Sequence, residues 1–186
     1  HLKILPGSSE AAIEAAVACA NAVSLNIEVP GRQHFRRLSE RKDFDRDIIR
    51  PLRWISRLTA PGSRYAHVKC TTQFVVGAAD ETDAEIVRYM TGLYTRLHFN
   101  RIYFSAYQPG LGAPDLPSEQ SDRGGDLLLR EHRLYQADFL LRKYGFAGDE
   151  LVFDNRGYLA LDADPKEAWA RQHPDRFPVR ANTADR

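Results

Sequence analysis

The chain has 186 residues and a formal net charge of +1, with 43% hydrophobic and 27% charged residues. That is the composition of a globular chain able to bury a real core, and it excludes both a disordered polyelectrolyte and a protein whose global charge draws it to nucleic acid. No apolar run approaches the roughly 20 residues that span a bilayer, and no signal peptide is visible, so no membrane partner is expected.

The first predicted element is a short strand over His1–Leu5, closed by Pro6-Gly7. Because the chain opens at His1 already inside a strand, it reads as a piece of a longer polypeptide. Ser8 or Ser9 can cap an Ala-rich helix from Glu10. Val23–Val29 (VSLNIEV) alternates strictly, with Val23, Leu25, Ile27 and Val29 on one face and Ser24, Asn26 and Glu28 on the other, which predicts a strand. A short polar helix follows over Gln33–Glu40, and Pro51 is placed to open another, PLRWISRL. Thr71–Val76 is the third strand, Asp80–Leu97 an amphipathic helix, and Arg101–Tyr107 the fourth strand. Residues 111–125 read as a long polar loop. Asp126–Tyr144 reads as a helix ended by Gly145, and Asp164-Pro165 starts a last one. The tail VRANTADR has no apolar pattern.

This βαβαβαβ order predicts a parallel sheet with crossover helices, either half of a (β/α) barrel or part of a doubly wound sheet. Parallel strands covered by helices on both sides are apolar on both faces. The polar run Ser24, Asn26, Glu28 therefore suits a barrel interior, where sites gather at the C-terminal strand ends. Lys3, Gln73, Ser105 and Tyr107 lie on the other strands with the same trend. A carboxylate such as Glu28 can accept two hydrogen bonds from a ribose diol. The competing structural reading pairs Lys3 with Glu28 as an internal ion pair and uses Tyr107 as packing.

Two cysteines, Cys19 and Cys70, are too few for a disulfide framework, so reduced thiols in a cytoplasmic protein are expected; neither falls at metal-ligand spacing with a histidine. Arg50, Arg53 and Arg57 beside Trp54 form a stripe that could face phosphates. The preceding Asp43, Asp45 and Asp47 favour a solvated helix face instead.

The segments KILPG, VSLNIEVP, TTQFVVGAADETD, RIYFSAYQP, LLREHRLYQADFLLRKYGF and DPKEAWARQHPDRFPV resemble radical S-adenosylmethionine (radical SAM) proteins, specifically a subgroup associated with DNA modification or repair and similar to biotin-synthase-like barrels. The resemblance covers nearly the whole chain. It implies an α/β fold, a partial (β/α) TIM-like barrel over residues 1–115, then a loop and helical C-terminal extension over 116–186. It also implies S-adenosylmethionine (SAM) and a [4Fe–4S] cluster that together generate a 5′-deoxyadenosyl radical, an electron donor, an undefined substrate, and nucleic acid contacted through a segment beyond this chain. The family's Cys-x3-Cys-x2-Cys loop is not in this sequence, and an enzyme is expected on condition that it precedes His1.

By position, the resemblance gives Asn26 and Glu28 to the ribose of SAM and Val75 to its adenine. Gln73 stands where the GxIxGxxE motif has its first glycine, and Glu81 comes one residue late. Ala106 and Tyr107 fall near adenine, and Lys3 is a partner to substrate or to Glu28. No catalytic residue and no metal ligand is assigned. The alternative is a cluster-free barrel remnant that binds a nucleoside or a protein; a third reading is an aldolase-type barrel with Lys3 as Schiff-base nucleophile.

Overall fold

The computed structural model describes residues 1–110, 112, 114–116, 118–120 and 124–176. The reading of the tail VRANTADR, and part of the loop reading for 111–125, lie outside these residues. Four parallel strands, β1 (Leu2–Lys3), β2 (Ala22–Ser24), β3 (Lys69–Val76) and β4 (Arg101–Ala106), form one sheet in the order β1-β2-β3-β4. The helices are α1 (Glu10–Ala18), α2 (Arg32–Leu38), α3 (Arg50–Leu58), α4 (Asp83–Thr95), α5 (Gly124–Phe139) and α6 (Pro165–Gln172). The α/β class and parallel sheet thus agree with the sequence. Among the described residues the sheet is open, with β1 and β4 at its edges.

Local chemistry sets several boundaries. Ser9 caps α1 by accepting from Ala12 N, and Asp164 caps α6 by accepting from Glu167 N with Pro165 next. Gly145 takes φ 72 after the last turn at Leu140–Tyr144, as a C-terminal glycine should. Helix α4 begins three residues later than the apolar pattern alone suggests. Thr82 and Glu85 form a capping box there. Pro51 stands at the second position of α3, one residue inside the expected start, and a π turn over Phe44–Ile49, capped by Asp43, leads directly into the helix. That turn sends Arg50 N to Asp45 O, so the N–H missing from Pro51 falls where the ladder is already interrupted.

One sheet face is dry. Val23, Leu25, Cys70, Phe74, Val76, Ile102 and Phe104 are buried in the main core with Ile13, Leu52, Ile86 and Met90 from the helices. Phe74 and Phe104 stack at 6.1 Å across β3 and β4. The other face carries Ser24, Thr71, Gln73, Val75 and Ser105, all half-buried, with Tyr103 44% exposed.

The outer edge of β4 is sealed by side chains rather than by another strand. Ile102 N donates to Tyr94 Oη, Phe104 N to Tyr135 Oη and Ala106 N to Glu131 Oε2. Tyr135 Oη returns a bond to Phe104 O. This satisfies edge groups that would otherwise invite another chain.

Candidate functional site

Strand β2 ends early, and the reason is an inserted residue. Ser24 pairs with Thr71 and Glu28 with Phe74, so β2 advances four positions while β3 advances three. The result is a bulge in a parallel pair. Buried Thr72 fills the gap: its hydroxyl accepts from Ile27 N at 3.0 Å and donates to Leu25 O at 2.7 Å. Beyond it Val29 N donates to Ile27 O at 2.9 Å, closing a γ-turn centred on Glu28, whose φ is 66°. Positive φ makes this the strained form of the turn, and a non-glycine residue there costs about 1–3 kcal/mol. The expected alternation survives in burial: Val23, Leu25, Ile27 and Val29 are fully buried, while Asn26 and Glu28 stay half-buried.

The strained turn places Glu28 against β3. Its N–H donates to Gln73 O at 3.0 Å, and its carbonyl accepts from Val75 N at 2.7 Å. Asn26, Glu28, Gln73 and Val75 are therefore brought together at the C-terminal end of the sheet. Burial pushes the Glu28 carboxyl above its ordinary range, and the Asn26 amide, then the ammonium groups of Lys3 and Lys42, pull it back down. Lys3 is exposed and acts on Glu28 through space, without an ion pair among the described residues. Lys42 has no motif around it and was not singled out by the sequence.

The β4 end differs in detail. Ala106 faces the helix side and its N–H is taken by Glu131, while Tyr107 N donates to Val76 O at 2.9 Å. The Tyr107 hydroxyl donates to Glu119, which also accepts from Gly110 N and Gly112 N. Desolvation, reinforced by Glu119, pushes the Tyr107 phenol up to about 12. Tyr107 thus ties the loop after β4 to the strand end and stays protonated.

Behind the strand ends lies a buried charge network that sequence reasoning reached only at Glu81. At Gly77 the backbone has φ 82°, and an added Cβ would come within 2.3 Å of Leu127. The Glu81 carboxylate accepts from Gly77 N and Ala79 N and so fixes the turn after β3. Ser118 donates to Gly77 O. Arg130 of α5 donates to Glu81 O and to Asp83 Oδ1, and Leu159 N donates to Asp83 Oδ2. Burial raises Glu81 to about 7 and raises Asp83, against the pull of Arg130 in both cases.

Arg50, Arg53 and Arg57 are all exposed, as a solvated helix face requires, but the aspartates do not offset them. Asp43 caps the π turn, Asp45 pairs with Arg32 and Asp47 with Arg46, so these carboxylates do not pair with Arg53 or Arg57. Arg57 instead lies over the Trp54 ring, 5.7 Å from its centroid.

No group of three or more His, Cys, Asp or Glu side chains among the described residues could hold a metal ion. Cys19 is exposed at the end of α1 and Cys70 is buried in β3, so this pair does not fit an iron–sulfur cluster. The half-buried Glu28 carboxyl can accept hydrogen bonds, and the Asn26 amide beside it can both donate and accept. Among the described residues no helix is long and apolar enough to cross a membrane. Compared with known proteins, the chain matches no family model, no curated protein and no solved structure.

Proposed function

We propose that the half-buried polar sheet face is the nucleoside-binding wall of a radical SAM enzyme. In this reading the sheet is one arc of a partial (β/α) barrel, and residues 116–186 are its loop and helical extension. The strand order supports an arc. It runs β1 to β4 without reversal, so right-handed crossovers put every connecting helix on one side and leave the other side as a concave interior. A doubly wound sheet would reverse at a switch point.

The observation that carries the proposal is the strained γ-turn at Glu28. It holds a carboxyl on the polar face, next to Asn26 and bonded through its backbone to Gln73 and Val75. Strain retained at a strand end, where barrels place their sites, points to binding. Glu28 and Asn26 would hold the ribose hydroxyls, and Val75 would lie against the base. The Asn26 amide, then Lys3 and Lys42, oppose the burial that raises the carboxyl. Beside a [4Fe–4S] cluster, bound SAM supplies hydrogen-abstracting radical chemistry. The cysteines of this chain do not build that cluster, so its ligands, the electron donor and the substrate belong to other chain segments or partners. Nucleic-acid modification or repair in the cytoplasm is the proposed setting.

The separation of Cys19 from Cys70 equally favours a second reading, in which the same wall binds a nucleoside or a protein without a cluster. Calorimetric titration with SAM tests the shared core of both. Binding is expected, weakened by about 1–3 kcal/mol in Glu28→Ala, where sugar hydroxyls lose their acceptor. Equal affinity in the variant would remove the ribose assignment.

A further inference from the structure

A cavity of about 840 Å³ lies away from the polar face. It is a cleft between the outer surface of α4 and the segment 141–149. Its walls include Val87, Thr91, Phe99 and Phe146, an apolar and aromatic lining. The hydroxyls of Thr91 and Thr95 donate back into their own helix, to Val87 O and Thr91 O, so they add no free donor. Gly148 makes the cleft's tight end: an added Cβ would come within 2.6 Å of Thr91 Oγ1.

Its charge is one-sided. Arg88, Arg96, Arg142 and Lys143 line the cleft, with Asp149 as the opposing carboxylate. Arg142 is neutralised by buried Asp138. Arg88, Arg96 and Lys143 have no carboxylate partner among the described residues. Three cations without a carboxylate partner rim a concave apolar site whose own lining holds one acidic group, Asp149. Arg88 and Arg96 also line the neighbouring cavity that holds Asp45, where the Arg96 guanidinium lies over Gly92, and the remaining surplus of positive charge attracts an anion. The volume lies within the range of small-molecule sites.

We propose that this cleft binds an organic phosphate, with its dianionic head on Arg88, Arg96 and Lys143 and its apolar body against Phe99 and Phe146. The site is separate from the nucleoside wall and does not depend on it. Two ligand sources share this chemistry, aromatic phosphates and aliphatic, lipid-like phosphates. The probes are therefore 1-naphthyl phosphate and octyl phosphate, with 1-naphthol and inorganic phosphate as controls, titrated calorimetrically into the protein.

At least one of the two organic phosphates is expected to bind roughly tenfold tighter than either control, and the tighter one identifies the source. The double variant Arg96→Ala/Lys143→Ala is expected to weaken that binding at least tenfold. Thr95→Trp, which fills the cleft but keeps its charge, should do the same, and it carries the test if the double variant does not fold. Glu28→Ala should leave it unchanged. The proposal is overturned if neither organic phosphate outbinds both controls, if Thr95→Trp binds like the parent protein, or if Glu28→Ala abolishes binding.

Discussion

Two carboxyl groups carry the residue-scale account. Glu28 sits at φ 66° in a turn that any L side chain resists. Glycine relieves that strain at some cost in chain entropy. Glu28→Gly should therefore stabilise the fold by about 1 kcal/mol in urea unfolding while losing nucleoside affinity, and a clear loss of stability would show that the turn is not strained. Glu81 is buried without a bulk-water contact, and its carboxyl is raised from 4.5 to about 7. A group whose pKa is higher in the folded than in the unfolded state favours folding most below its unfolded value. Its contribution is then lost as pH rises through the folded one. Stability should thus fall by about 3 kcal/mol between about pH 4 and about pH 8 through this group, then level off. Glu81→Gln should flatten that slope. An unchanged slope in the variant would assign it to other groups.

At the scale of elements, the junction of β2 and β3 is held by a side chain in place of a ladder bond. Thr72→Val keeps the shape but orphans Ile27 N–H and removes a donor from Leu25 O. It should cost about 2–3 kcal/mol in chemical denaturation. A neutral effect would mean that the bulge does not rely on the hydroxyl. This junction also marks where the sequence stopped being legible. The period of two in VSLNIEV is the same for a regular strand and for one with an extra residue, and Thr72 acts from 45 positions away. Local signals read well because their partners are local: Ser9 and Asp164-Pro165 start their helices, and Gly145 ends its own, where expected. The T-D-A-E capping signature at Thr82–Glu85 was present and sets the true start of α4. Of the candidate site, Asn26, Glu28, Gln73 and Val75 were legible as one polar face. Lys42, Arg130 and Glu131 were not, because long-range partners leave no spacing in a single chain.

Across the whole molecule, Arg130 adds a buried charge link to the Tyr135 and Glu131 bonds that hold the C-terminal extension on the sheet. Arg130 reaches from α5 to the Glu81 backbone and to Asp83, whose other oxygen holds Leu159 N. It also stacks 4.9 Å over Tyr158. Removing it leaves Asp83 buried and uncompensated, so Arg130→Met should cost about 3–5 kcal/mol. Limited proteolysis should then cut the extension first; equal protection of both proteins would show that the extension docks by other contacts. The same link holds the turn after β3 behind the polar wall. In the proposed function, this wall recognises a ribose diol through Glu28. The most direct measurement is a four-way calorimetric comparison of adenosine and 2′,3′-dideoxyadenosine on the parent protein and on Glu28→Ala. The account predicts that losing the diol costs the parent about 1–3 kcal/mol and costs the variant almost nothing. An equal loss in both proteins, or no loss in the parent, would contradict it.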